Sequence, residues 1–168
     1  VSKETKVDIL VTPSVVIISG VLLAMFVGPG INAFMEAFGH FIENATEMRP
    51  FIMGIIVSVS VGMALTLPIS SAALCIAIGL SGIAAGAATA GCCAQMVGFA
   101  VMSFRENRWG GLISQGLGTS MLQMPNIIKN PLTWIPPTLA SAITGPISTC
   151  IFQMENVPIG AGMGTCGL

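Results

Sequence analysis

Glu155 is the residue whose type and setting ask most clearly for a chemical role. It follows an apolar stretch and precedes the run Val157-Pro158-Ile159-Gly160-Ala161-Gly162-Met163-Gly164-Thr165-Cys166-Gly167, with no charge after it. That setting predicts a carboxylate at membrane depth or at the mouth of a cavity. Such a group is costly unless hydrated, paired or protonated, so it defaults to a functional reading. The competing reading is an interfacial Glu at a helix end, touching only water. Asn156 and Thr165 sit in the same stretch. Its irregular backbone would leave N–H and C=O groups free for a polar solute, and membranes tolerate such backbone only where it lines a cavity or is buried in protein. Gln95, Gln115, Gln123, Asn126 and Asn130 add neutral donors and acceptors in otherwise apolar sequence. Carboxamides together with a carboxylate suit the hydroxyls of a carbohydrate, although their ordinary use is hydrogen bonding between helices. Lys129 could neutralise a phosphate or a carboxylate, or serve as a plain interfacial cation.

Other chemistries lack their parts. The five cysteines, Cys75, Cys92, Cys93, Cys150 and Cys166, all lie in apolar stretches and form no CxxC pair. The single histidine, His40, is far from them in sequence, so a zinc ligand set is missing and no metal or cofactor is expected. The cysteines read as small packing residues. The net charge of −1 and pI near 5.7 exclude a strongly basic nucleic-acid surface.

The elements that must position these groups belong in lipid. Charged residues are 8% of the chain, hydrophobic residues 54%, and mean hydropathy is +0.90. No charge occurs from Pro50 to Phe104, between Asp8 and Glu36, or between Lys129 and Glu155. A spanning helix needs roughly 20 predominantly apolar residues, so these gaps hold several passes. The expected fold is all-α: a polytopic transmembrane helix bundle with an amphipathic interfacial helix and Gly-rich broken or re-entrant segments. It forms a single transmembrane domain over 1–168, read as a fragment of a longer permease because both ends look cut.

Spans are expected at 9–27, 50–67, 69–85, 87–104, 109–124 and 138–154. The first closes at Gly28-Pro29-Gly30, and a retained span is preferred there to a secretory signal peptide, for want of a small-x-small cleavage site. Segment 31–48 is the amphipathic helix. Ile31, Phe34, Met35, Phe38, Phe41, Ile42 and Ala45 share one face by the i, i+3, i+4 rule, against Asn32, Glu36, His40, Glu43, Asn44 and Glu47. His40 reads as a solvated polar-face residue. The stretch Pro68 to Phe104 is interrupted by Pro68, Gly79, Gly82, Gly86 and Gly91, which predicts two passes, or one pass plus a re-entrant hairpin. Arg105-Glu106-Asn107-Arg108 is the clearest loop, and with Lys3 and Lys6 it places the N-terminus in the cytoplasm. Trp134 suits an interfacial anchor. An internal echo relates Pro68-Ile69-Ser70-Ser71 and Gly86 to Gly91 with Pro146-Ile147-Ser148-Thr149 and Gly162 to Gly167, a pairing that transporters place around a central site.

The runs Ala87 to Phe99, Gln115 to Asn126 and Trp134 to Ser141 resemble bacterial phosphotransferase-system enzyme IIC-like proteins, the group that includes perfringolysin-regulator-type membrane proteins. The resemblance implies a sugar permease component of the bacterial cytoplasmic membrane, acting as a homodimer. A separate cytosolic IIB protein, charged by IIA, would phosphorylate the entering sugar. It also implies that Glu155 matches the membrane-embedded Glu of better-known IIC families. The intramembrane His often paired with that Glu has no counterpart here. An ion- or proton-coupled secondary transporter and a non-transporting membrane regulator are the alternatives.

Overall fold

A computed structural model describes residues 8–46 and 49–167. Lys3, Lys6 and Glu47 lie outside the described residues. The described residues are helical throughout, apart from short turns and one isolated two-residue bridge, so the fold is an all-α helical membrane bundle. Two compact units divide the chain, Val1–Phe38 and Gly39–Leu168.

The first unit is built on one helix. Helix α1, Asp8–Thr46, continues through Gly28-Pro29-Gly30 with Pro13 and Pro29 inside it. The break expected at that triplet does not occur. A proline removes one backbone bond and crowds the preceding turn, and the flanking glycines leave that turn room. Within the unit, apolar side chains are exposed on every face, Phe26 at 84%. An all-round apolar helix of this kind belongs in lipid. Phe34 and Phe38 stack with ring centroids 6.0 Å apart, and the Asn32 amide donates to Glu36 Oε1 at 2.9 Å.

The second unit takes in the end of α1, where Gly39, Ile42 and Ala45 are buried. Its core is three helices: α2 (Pro50–Thr66), α4 (Gly82–Ile113) and α6 (Ile135–Pro146). Helix α2 begins at Pro50, whose missing N–H costs nothing in a first turn. The helices meet on small residues. A Cβ at Gly91 would overlap the Ser58 carbonyl oxygen, and one at Gly145 would overlap that of Gly54. Hydroxyls tie the seam: Ser58 Oγ donates to Ser141 O at 2.8 Å, and Ser141 Oγ reaches Gly91 O at 3.1 Å. Close backbone approach with cross-helix hydrogen bonds is how helices associate where no hydrophobic effect drives them together.

Segment 69–85, expected as a span, is not one helix. Helix α3 (Ser71–Ala77) is seven residues long and is followed by a turn in which Gly79 and Gly82 take positive φ. At about 1.5 Å per residue, α3 is roughly 10 Å long and cannot cross a bilayer.

Helix α4 reverses at Arg108, which adopts φ 49° and ψ −137°. Beyond it the chain runs back along its own first arm. A Cβ on Gly111 would lie 2.8 Å from Ser103 Oγ, and one on Gly116 would lie 3.5 Å from Ala100 Cβ. Residues 8 and 16 apart cannot touch on a straight helix, where they are about 12 and 24 Å apart. The expected span 109–124 is therefore a return arm: helix to Ile113, a wide π-helical turn at Ser114–Gly118, and a 3₁₀ turn at Ser120–Gln123. An arginine at positive φ stores about 1–3 kcal/mol of strain. Helices α5 (Met124–Lys129), α6 and α7 (Pro158–Ala161) complete the unit, with a π-helical stretch Ile147–Phe152 extending α6.

Among the described residues, three stretches are long and apolar enough to cross a membrane: Pro13–Ile42, Gly82–Gly118 and Pro131–Phe152. The second reverses at Arg108 and is therefore two arms, not one continuous helix. The seam makes the first prediction. Gly91→Ala should cost about 1–3 kcal/mol by overpacking. Gly20→Ala, where nothing lies within 4 Å, should be neutral or stabilising by up to about 1 kcal/mol. Thermal unfolding of the purified membrane protein in detergent compares the two.

Candidate functional site

The C-terminal run is drawn onto α4 by backbone contacts. After the π-helical stretch, Gln153 takes a left-handed conformation (φ 45°, ψ 45°) and Met154 N bonds Ser148 O at 3.0 Å, which ends the helix and turns the chain. Met154 O then lies against Gly86, where any Cβ would overlap it. Two residues further, Asn156 and Gly82 exchange both backbone hydrogen bonds, at 3.2 and 3.3 Å. The Asn156 amide donates to Thr89 Oγ1 at 2.8 Å and to Gly167 O at 3.0 Å. One side chain thus joins the start of the run, its end and α4.

Extended backbone sends successive side chains to opposite sides. Asn156 is half-buried toward α4, while Glu155 and Val157 are exposed. Among the described residues Glu155 accepts no hydrogen bond and forms no ion pair. It is not at a plain helix terminus. It sits on the extended link that Gly86 and Gly82 hold in place.

The run's far end docks on the return arm of α4. Thr165 Oγ1 donates to Gly116 O at 2.6 Å, and Cys166 Sγ to Leu117 O at 2.8 Å. Ser71 Oγ of α3 donates to Gly162 O at 2.7 Å. Between these contacts lies an open groove of about 280 Å³, walled by Ser70, Ser71, Thr119, Met121, Gly162 and Cys166 among others. Its walls are hydroxyls, backbone and apolar side chains, and Glu155 is not among them.

The remaining predicted residues fall into separate groups. Gln123 and Asn126 form one amide chain with Gln115: Asn126 Nδ2 donates to Gln123 Oε1 at 2.8 Å, and Gln123 Nε2 to Gln115 Oε1 at 3.0 Å. Gln115 adjoins Gly116, so this chain reaches the run through Thr165. Gln95 is fully buried in the bundle, donating to Thr138 Oγ1 at 3.3 Å, and its Oε1 has no partner among the described residues. A buried acceptor left unmet costs about 1–3 kcal/mol. Lys129 is exposed, and Asn130 caps the next turn through Leu132 N at 3.3 Å. Neither contacts Glu155. Trp134 is half-buried, with its indole nitrogen buried and unpartnered among the described residues, which does not fit an anchor whose N–H reaches water. The two halves of the internal echo differ in conformation: Gly86 to Gly91 lie within α4, and Gly164–Gly167 is a 3₁₀ turn.

A helical bundle with long apolar stretches and an irregular run folded onto its central helix is the setting in which comparison with known proteins becomes informative. A family model described as Phosphotransferase system, EIIC matches residues 1–168. The chain belongs to that family. No curated protein and no solved structure matches it. Membership makes the chain a membrane component of a phosphotransferase system and, for the family in general, implies a sugar substrate and a IIB partner.

Sequence reasoning missed Thr89, Gly82 and Gly116, the run's partners in this EIIC chain. Their signal was present only as small residues in an apolar stretch. If Asn156 joins the run to α4, Asn156→Ala and Thr89→Val should each destabilise the protein. The double variant should lose about 1 kcal/mol less than the sum of the singles. Thermal unfolding of the four proteins measures this coupling; strict additivity would show that the bond does not hold the run.

Proposed function

We propose that this chain binds a sugar within the membrane and translocates it, with phosphorylation performed by a separate IIB protein charged by IIA. The observation that carries this reading is the exposed, unpartnered carboxylate of Glu155 on a backbone link locked against Gly86 of α4. A fixed carboxylate can accept hydrogen bonds from sugar hydroxyls without first giving up a protein partner, and charge-assisted bonds are stronger than neutral ones. The irregular run 153–167 also fits the rule that such backbone is found at membrane depth only where protein or a cavity surrounds it. The amide chain Gln115–Gln123–Asn126 and the groove beside Thr119 and Gly162 supply neutral polar groups where the far end of the run meets the return arm. Asn156 and Thr165 position the run and are not sugar contacts in this reading. Gln95 lies too deep, and Lys129 and Asn130 bond locally or not at all.

The reading places the chain in the bacterial cytoplasmic membrane with several passes and its N-terminus in the cytoplasm. Ile135, Leu139, Ile143, Ile147 and Ile151 repeat every four residues and are exposed, an apolar stripe suited to lipid or to the partner copy of a homodimer.

The test uses the full-length protein in detergent with a panel of sugars. One sugar should raise the unfolding temperature, and at a hundred times its dissociation constant it should add about 2.7 kcal/mol. Glu155→Gln should abolish that gain and leave the sugar-free protein folded. Undiminished stabilisation would remove Glu155 from the site, and flux that follows a proton or sodium gradient without a phosphate donor would favour a secondary transporter.

A further inference from the structure

The apex of the α4 hairpin carries an arginine where its backbone suits a glycine. Arg108 takes φ 49°, a region that L side chains rarely adopt, although Gly110 and Gly111 follow two and three residues later. The turn thus carries a cation at a strained position. Such outliers point toward function when the surroundings hold them in place, and here the arms do so through Gly111 against Ser103 and Asn107.

The chemistry around the apex is consistent. Arg105 and Arg108 are both exposed and form no ion pair among the described residues, Glu106 included. Phe104 and Trp109 meet edge to face, with centroids 5.7 Å apart, and are 40% and 68% exposed. Below them on α4, Val97 and Val101 are exposed apolar residues. An apolar arm ending in an exposed Phe–Trp pair and two free guanidinium groups has the profile of a segment that leaves hydrocarbon at the headgroup level. A guanidinium offers paired N–H donors that match two phosphate oxygens.

We propose that Arg105 and Arg108 form a binding site for the phosphate of anionic membrane lipids, with Trp109 and Phe104 seated among the upper acyl carbons. Lipid is favoured over a free anion because the aromatic pair and the apolar arm lead directly into the cationic apex. The site is distinct from Glu155 and does not depend on sugar binding.

The experiment titrates the full chain in detergent with phosphatidylglycerol, with phosphatidylcholine and with inorganic phosphate, following the unfolding temperature. Wild type should be stabilised by phosphatidylglycerol alone. Arg108→Gly should melt higher than wild type without lipid, since glycine relieves the turn, yet need about fivefold more phosphatidylglycerol for half its effect. Arg105→Gln, which leaves the turn intact, should show a similar shift. The proposal is overturned if either variant responds to phosphatidylglycerol as wild type does, or if glycine at 108 lowers the melting temperature. It is equally overturned if phosphatidylcholine or phosphate alone stabilises as well, or if the variants lose binding of a IIB protein and no lipid response.

Discussion

Three helices meet where the Ser141 hydroxyl donates to Gly91 O of α4 and to Pro137 O of its own helix, while Ser141 O accepts from Ser58 of α2. The whole second unit depends on this junction. It requires small residues on all three faces, because a hydroxyl spans only a short gap, and Gly54, Gly91 and Gly145 provide the approach. In lipid, apolar side chains gain little by leaving their surroundings, so dispersion and these few polar bonds carry the association. Large apolar residues are accordingly turned outward, as in the stripe from Ile135 to Ile151. The seam itself is lined by glycines and hydroxyls, while large buried side chains such as Phe99, Met96 and Leu74 pack elsewhere in the unit.

Once α4 is fixed by that junction, it serves as the template for everything irregular. Its first turns receive Asn156 at Gly82 and Met154 at Gly86, its middle receives Gly164 beside Met96 and Cys92, and its return arm receives Thr165 at Gly116. The C-terminal run therefore takes its backbone partners from α4, from the return arm, from Ser71 of α3 and from within itself. It also leaves the Glu155 side chain facing away from α4, since Asn156 occupies the inward position.

What could be read from the sequence was whatever depends on composition or on a single local rule. The membrane class followed from the placement of thirteen charges (six basic, seven acidic), and the start of α2 from the span expected to begin at residue 50. Arg105 to Arg108 was expected to be a loop, yet α4 stays helical through Asn107 and breaks only at Arg108, and a rule about loops does not say that the next arm folds back along the last. The continuity of α1 was hidden because Gly-Pro-Gly reads as a stop by propensity, whereas a lone apolar helix has every reason to keep its backbone bonds. The site was legible in its residue types and not in its groupings. Gln123 and Asn126 were seen, and so were Asn156 and Thr165, but their partners are a carboxamide, a threonine and a glycine carbonyl. No local pattern marks those.

Two charged residues of the second unit, Glu155 and Arg108, answer different constraints. Glu155 follows a helix whose end is set by the left-handed turn at Gln153, and its exposure comes from alternation along the extended link. Any residue could stand there without backbone penalty, so the carboxylate is explained only by what it would contact. Arg108 is the opposite case, since its backbone disfavours the side chain it carries. The first acid is unconstrained by the fold and the second cation is opposed by it. Neither is accounted for by packing, and both lie on segments that the Ser58–Gly91–Ser141 junction holds through α4. A fold assembled from small residues leaves these charges as the groups through which it meets something other than itself.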